Sequence, residues 1–328
     1  MRRLHACPLV LSAAVALATL LIGGRAEALV PLENVTWADG IAQPTPVGMA
    51  RRVQLYFIID CSEEPGKQLY YGAQGNIKQP RWENKYEILH FLVSSGGGTM
   101  PARNDADTEW ADRGTDSTTG LLRAIAGDAI GAYILVDGSG RIAELGRLNV
   151  DDATKKAEKL FKGTQPLVDD ESQLPLAAKP LFKWLKLGDT HSYQKSLGKY
   201  GPAGMQFQQF VTKGTTRLLE SDAALLSDPA TTPDAKLIAL QRATAVAQEA
   251  PPSKSFTAVL KGLKTDKALK REQEAWEVLK QYLAEARKTP LKKISDKQHE
   301  WFPLFDTKFK GTYAAEIVDK IKSASRYE

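Results

Sequence analysis

Cys61 closes the apolar run in "YFIIDCSEEPGK", residues 56–67. A cysteine in that setting is a candidate nucleophile through its thiolate, the form that attacks disulfides and binds soft metals. Dithiol exchange also requires a second thiol to release the mixed disulfide that the first one forms. Three residues on, where a Cys-x-x-Cys pair would carry it, the chain has Glu64. The only other cysteine is Cys7 in the N-terminal leader, so a processed chain keeps Cys61 alone and closes no internal disulfide. The neighbours do not activate it: Glu63 and Glu64 disfavour a thiolate, Lys67 is the one nearby cation, and Pro65, Gly66, Gly72 and Gly75 make a poor helix start. Cys61 is therefore the one candidate catalytic residue. The leading reading is a buried or inert thiol, with a monothiol, an intermolecular disulfide and soft-metal binding as alternatives.

Other constellations carry less. Asp105, Asp107, Glu109 and Asp112 space oxygen donors as a calcium loop would, but Trp110 and Asp116 stand where an EF-hand needs Gly and Glu, which favours a solvated acidic loop. His90, His191 and His299 are scattered, in no metal-ligand spacing, and His90 lies inside an apolar run as a core histidine would. No Gly-x-Ser-x-Gly elbow and no phosphate-cradling Gly-x-x-x-x-Gly-Lys-Ser/Thr loop occurs. "DGSGRIAELG" departs from the dinucleotide fingerprint at its last position and sits in a hairpin. No cofactor and no metal site is expected.

These residues need elements to hold them. "VQLYFIID" (53–60) and "YEILHFLV" (86–93) have the aromatic and branched composition of buried strands. "AYILVDGSGRIAELGRL" (132–148) predicts a hairpin turning at Asp137–Gly140, and "DDATKKAEKLFKG" (151–163) a helix with Ala153, Ala157, Leu160 and Phe161 on one face. Residues 94–118 show no period, so they form a surface loop or hide a strand. Residues 164–202 look like a Pro- and Gly-rich linker with one short helical piece near "AKPLFKWLKLG". Beyond it, four stretches have helical spacing: 203–226, 233–250, 266–288 and 312–324. "HEWFPLF" (299–305) suits a helix-to-helix anchor.

With those elements in order, residues 30–163 resemble a thioredoxin-like domain. "VTWADGIAQ" (35–43) is similar to the Trp-containing opening of secreted members, and "VQLYFIIDC" to the strand that leads into their active site. "IAGDAIGAYILVDGSGRI" is similar to the segment in which a cis-proline precedes a strand and an Asp-Gly hairpin follows it. The resemblance implies that Cys61 holds the first-cysteine position. It also implies that Glu64 replaces the resolving cysteine and that Gly131 stands at the cis-proline position, altering the backbone edge with which the family docks peptides.

"MRRLHACPLVLSAAVALATLLIGGRAEA" (1–28) has the charged, apolar and small-residue parts of an export signal, its apolar stretch shorter than a spanning helix needs. Cleavage near Leu29 takes the formal charge from +5 to +3. Acids and bases are interspersed, unlike the one-sided basic face of a nucleic-acid binder. The expectation is an exported, periplasmic or extracellular protein: a thioredoxin-like α/β domain (29–163), a linker (164–202) and an all-α helical domain (203–328). After signal cleavage it has no integral membrane segment. The leading function is binding or scaffolding with a protein partner and without dithiol-disulfide exchange; the alternative is a monothiol oxidoreductase or other thiol-dependent enzyme using Cys61.

Overall fold

The computed structural model describes residues 35–37, 45–77, 88–95, 111–116, 120–161, 175–186, 188–249 and 253–327. The leader, most of the acidic stretch before Ala111 and residues 162–174 lie outside them. Six strands form one sheet: β1 (Val35–Trp37), β2 (Val53–Asp60), β3 (Ile88–Ser95), β4 (Ala111–Asp116), β5 (Gly131–Val136) and β6 (Ile142–Arg147). Their order is β1-β4-β3-β2-β5-β6. β2, β3 and β4 run parallel, whereas β1 on β4, β5 on β2 and β6 on β5 are antiparallel. Among the described residues, four helices are interleaved with these strands: α1 (Pro46–Met49), α2 (Glu64–Ile77), α3 (Gly120–Ala126) and α4 (Val150–Phe161).

The central strand shows why its sequence is apolar throughout. Side chains alternate across a strand, so a sheet covered on both faces needs apolar residues at every position. Val53, Leu55, Phe57 and Ile59 of β2 enter one core with Tyr70 and Ala73 of α2 and Ala153 and Ala157 of α4. Tyr56 and Ile58 enter the opposite core, where Tyr56 stacks on its cross-strand neighbour Phe91 at 4.4 Å between centroids. The hairpin turns where expected. The Asp137 carboxylate accepts from the Ser139 and Arg141 amides at 2.8 and 3.0 Å, and Gly140 takes φ +92°, a conformation costly for any residue with a Cβ.

The chain continues as a mostly helical region: α5 (Lys179–Lys186), α6 (Thr190–Ser196), α7 (Gly201–Ser227), α8 (Pro233–Ala247), α9 (Lys254–Gly262), α10 (Lys267–Lys288), α11 (Ile294–Asp306) and α12 (Tyr313–Ser325). Its apolar stripes do not form a separate core. Leu279 and Tyr282 of α10 and Ile317, Val318 and Ile321 of α12 belong to the same continuous cluster as Tyr56, Phe91 and Ile134 of the sheet. Polar ties cross the same boundary: the Tyr313 hydroxyl accepts from the Ile142 amide at 2.6 Å, and Arg141 pairs with Asp234 at 2.5 Å and with Glu316. Tyr282 donates to the Ala124 carbonyl at 3.1 Å. Phe302 and Phe305 of α11 are buried, so the 299–305 segment is a helix-to-helix anchor, with Phe302 edge-on to Tyr282.

One open alternative is resolved and two expectations change. The aperiodic 94–118 stretch does hide a strand, β4, whose Asp, Arg, Gly and Thr residues leave no hydrophobic pattern. The segment read as linker holds two helices, α5 and α6, with Leu181, Phe182 and Tyr193 buried in the shared core. The stretch after Cys61, with Pro65, Gly66, Gly72 and Gly75, is expected to start a helix poorly; α2 begins at Glu64. Pro65 falls in its first turn, where a missing amide hydrogen costs nothing, and the Glu64 carboxylate complements the positive end of the helix. No helix among the described residues is long and apolar enough to cross a membrane.

Candidate functional site

Cys61 follows β2 directly and precedes α2 by two residues, so strand and helix together fix its position. The Asp60 carboxylate accepts from the Ser62 amide at 3.0 Å, and the helix start is drawn so close that a methyl group on Gly66 would overlap the Asp60 carbonyl. This tight turn directs the thiol inward. Cys61 is 1% exposed and packs in the core beneath α2, its Sγ–H directed at the Ile59 carbonyl at 3.7 Å. Burial pushes its pKa up, and the Asp60 carboxylate adds to the rise; the Ser94 hydroxyl and the Lys67 ammonium act the other way without cancelling it. A helix start lies close by after all, but desolvation of the thiolate outweighs it.

Ser62, Glu63 and Glu64, which follow Cys61 in the turn to α2, are all exposed. The neighbouring edge is Ile130, 46% exposed, whose carbonyl accepts from the Asp60 amide at 2.8 Å. Gly131 opens β5 opposite Ile59, with Leu69 and Leu148 packed so closely that a Cβ there would press on both.

The histidines are not brought together. His90 is buried in β3, where desolvation and the charge of the buried Arg52 push its pKa down to about 3, so the ring is neutral across the physiological range. His191 is exposed in α6. His299 is exposed in α11, its Nδ1–H donating to the Ser295 carbonyl at 2.8 Å when that nitrogen carries the proton. Asp105, Asp107 and Glu109 of the calcium-like spacing lie outside the described residues, and Asp112 belongs to β4. Among the described residues, no group of His, Cys, Asp and Glu is placed to hold a metal ion.

One polar cluster had no sequence signature. Thr45 and Thr190 lie 2.6 Å apart through their hydroxyls, and Thr190 donates to the Glu249 carboxylate at 2.9 Å. Burial raises the Glu249 pKa against the opposing threonine hydrogen bonds. Both threonines are buried, so neither hydroxyl is offered to a substrate. The cluster fastens the start of α1 to the start of α6, reinforced by the Thr45 amide donating to the Gly188 carbonyl at 2.8 Å. Partners separated by 145 and 59 residues leave no local pattern to read.

Chemically, the Cys61 region offers a protonated, enclosed thiol followed by an exposed acidic turn. No protein-family model matches the sequence, and no curated protein and no solved structure matches it.

Proposed function

We propose that this chain is an exported protein whose α/β region is thioredoxin-like, and that it acts by binding or scaffolding, without dithiol-disulfide exchange. The fold assignment is supported by the order of elements: strand, Cys61, helix, two parallel strands, helix, antiparallel hairpin and closing helix, the second parallel strand, β4, being an addition between β3 and α3. Export is supported by the three-part leader at residues 1–28. The observation that carries the functional reading is the state of Cys61. An exchange cysteine needs an accessible thiolate and a resolving partner. Here the sulfur is enclosed, its pKa is raised, and Glu64 occupies the position of a second thiol.

Insulin reduction in the presence of dithiothreitol tests the proposal. Wild type and Cys61→Ser are expected to leave the uncatalysed rate unchanged. Catalysis by wild type that disappears in Cys61→Ser would instead establish a monothiol enzyme.

A further inference from the structure

A basic surface on the helical region invites a partner that the Cys61 reading does not require. Arg271, in the second turn of α10, spends its guanidinium on backbone: Nη2 donates to the Lys308 carbonyl at 3.1 Å and the Lys310 carbonyl at 2.9 Å. That clamp pins the turn between α11 and α12 against the beginning of α10. Lys308 and Lys310 are thereby brought to the same side of the molecule as Lys267 and Lys270, with Lys264 just ahead of them in sequence. All are exposed. None of these five lysines forms an ion pair among the described residues.

The local acids leave the positive charge standing. Asp266 is taken up by Lys236 at 3.2 Å and by the Leu269 amide at 3.0 Å; Glu272 is buried on the Tyr313 amide at 2.9 Å. On the clamped turn itself the exposed Asp306 is taken up by Lys322 at 2.5 Å, and Glu274 is an exposed carboxylate on this part of α10. Lys267 and Arg271 are like charges one turn apart, an arrangement that opposes helix formation. Arg287 and Lys288, at the far end of α10, are favoured there by the helix dipole, an explanation that does not extend to the cations at its beginning. A self-repelling cluster held together by a dedicated clamp is the kind of local conflict found at functional surfaces.

Leu304 selects among anionic partners. It lies at the base of the clamped turn that carries Lys308 and Lys310, where its carbonyl accepts from the Phe309 amide at 3.0 Å, and it is 39% exposed. An exposed leucine at the base of a turn bearing lysines suits a bilayer, with headgroup phosphates at the lysines and the leucine entering the interface. We propose that the Lys264–Lys270 and Leu304–Lys310 surface docks the protein on an anionic lipid membrane.

The test is sedimentation of the full chain with vesicles of phosphatidylcholine, with and without roughly one-third phosphatidylglycerol. Binding is expected only with the anionic lipid. It should weaken about tenfold or more when salt rises from roughly 50 to roughly 500 mM. Replacing Lys267, Lys270, Lys308 and Lys310 by Glu should abolish it, whereas the same change at the exposed Lys155, Lys159, Lys195 and Lys199 should leave most of it. Circular dichroism confirms that each variant is folded, and Leu304→Gln, which keeps every charge, should weaken vesicle binding while leaving retention on a heparin column unchanged. Absence of binding to anionic vesicles overturns the proposal. So does equal loss in the two charge variants, which would mean net charge alone, or capture by heparin without capture by vesicles, which would mean a soluble polyanion.

Discussion

Single residues in this fold are set by what surrounds them more than by their own chemistry, and His90 shows it with a sign that can be measured. In the unfolded chain its imidazole takes a proton near pH 6.5, whereas in the fold protonation is deferred to about pH 3. Stability is therefore undiminished above 6.5 and falls as pH drops through that value, because only the unfolded state gains the proton. By pH 4.5 the loss assigned to this residue is on the order of 2–3 kcal/mol. The stability change between pH 6.5 and 4.5, read from urea titrations at each pH, is expected to be larger by that amount in wild type than in His90→Phe; equal changes would remove His90 as the cause. Glycines of α2 divide in the same way. Gly66→Ala drives a methyl into the Asp60 carbonyl and should cost about 1–3 kcal/mol, whereas the exposed Gly72 faces open space and its replacement by Ala should stabilise by about 0.5–1 kcal/mol. Thermal melts of the two variants are expected to shift in opposite directions.

At the scale of elements, what was legible in the sequence was what repeats or turns locally. β2 announces itself by an unbroken apolar run, the hairpin by Asp137 and Gly140, α10 by its Leu269, Trp276, Leu279 and Leu283 stripe. β4 did not, because a strand of Ala, Asp, Arg, Gly and Thr is held by backbone pairing to β1 and β3 instead of by apolar side chains. The start of α2 was missed for a related reason: Pro and Gly usually interrupt helices, yet in a first turn Pro is harmless and Gly66 permits the approach to β2. The position of Cys61 in sequence was plain, but its burial depends on that approach and was not. Packing between distant elements is equally silent in the sequence. The β5–β6 hairpin is joined to α12 by the Tyr313 hydroxyl, which satisfies the buried Ile142 amide. Tyr313→Phe keeps the stacking on Trp276 but orphans that amide, so a loss of about 1–3 kcal/mol is expected in chemical denaturation. A change below a few tenths would show that water replaces the hydroxyl.

Across the whole molecule, one sheet separates two cores of unequal extent. The smaller lies under α2 and α4 and contains Cys61; the larger continues from the opposite sheet face into the helical region. Within residues 164–202, expected as a linker, Leu181, Phe182 and Tyr193 belong to that continuous interior. Because β2 supplies side chains to both cores, loss of either should release the other, and unfolding should be a single cooperative event. The thiol of Cys61 reports on this from within the smaller core. The most direct measurement is therefore its alkylation rate by iodoacetamide across a urea titration at neutral pH, followed alongside far-ultraviolet circular dichroism. Labelling is expected to be at least about a hundredfold slower in the native protein than in urea, and to accelerate with the global unfolding midpoint. Native-state labelling as fast as that of the unfolded chain would mean an accessible, reactive thiol, contradicting the sealed site on which the proposed non-exchanging role rests.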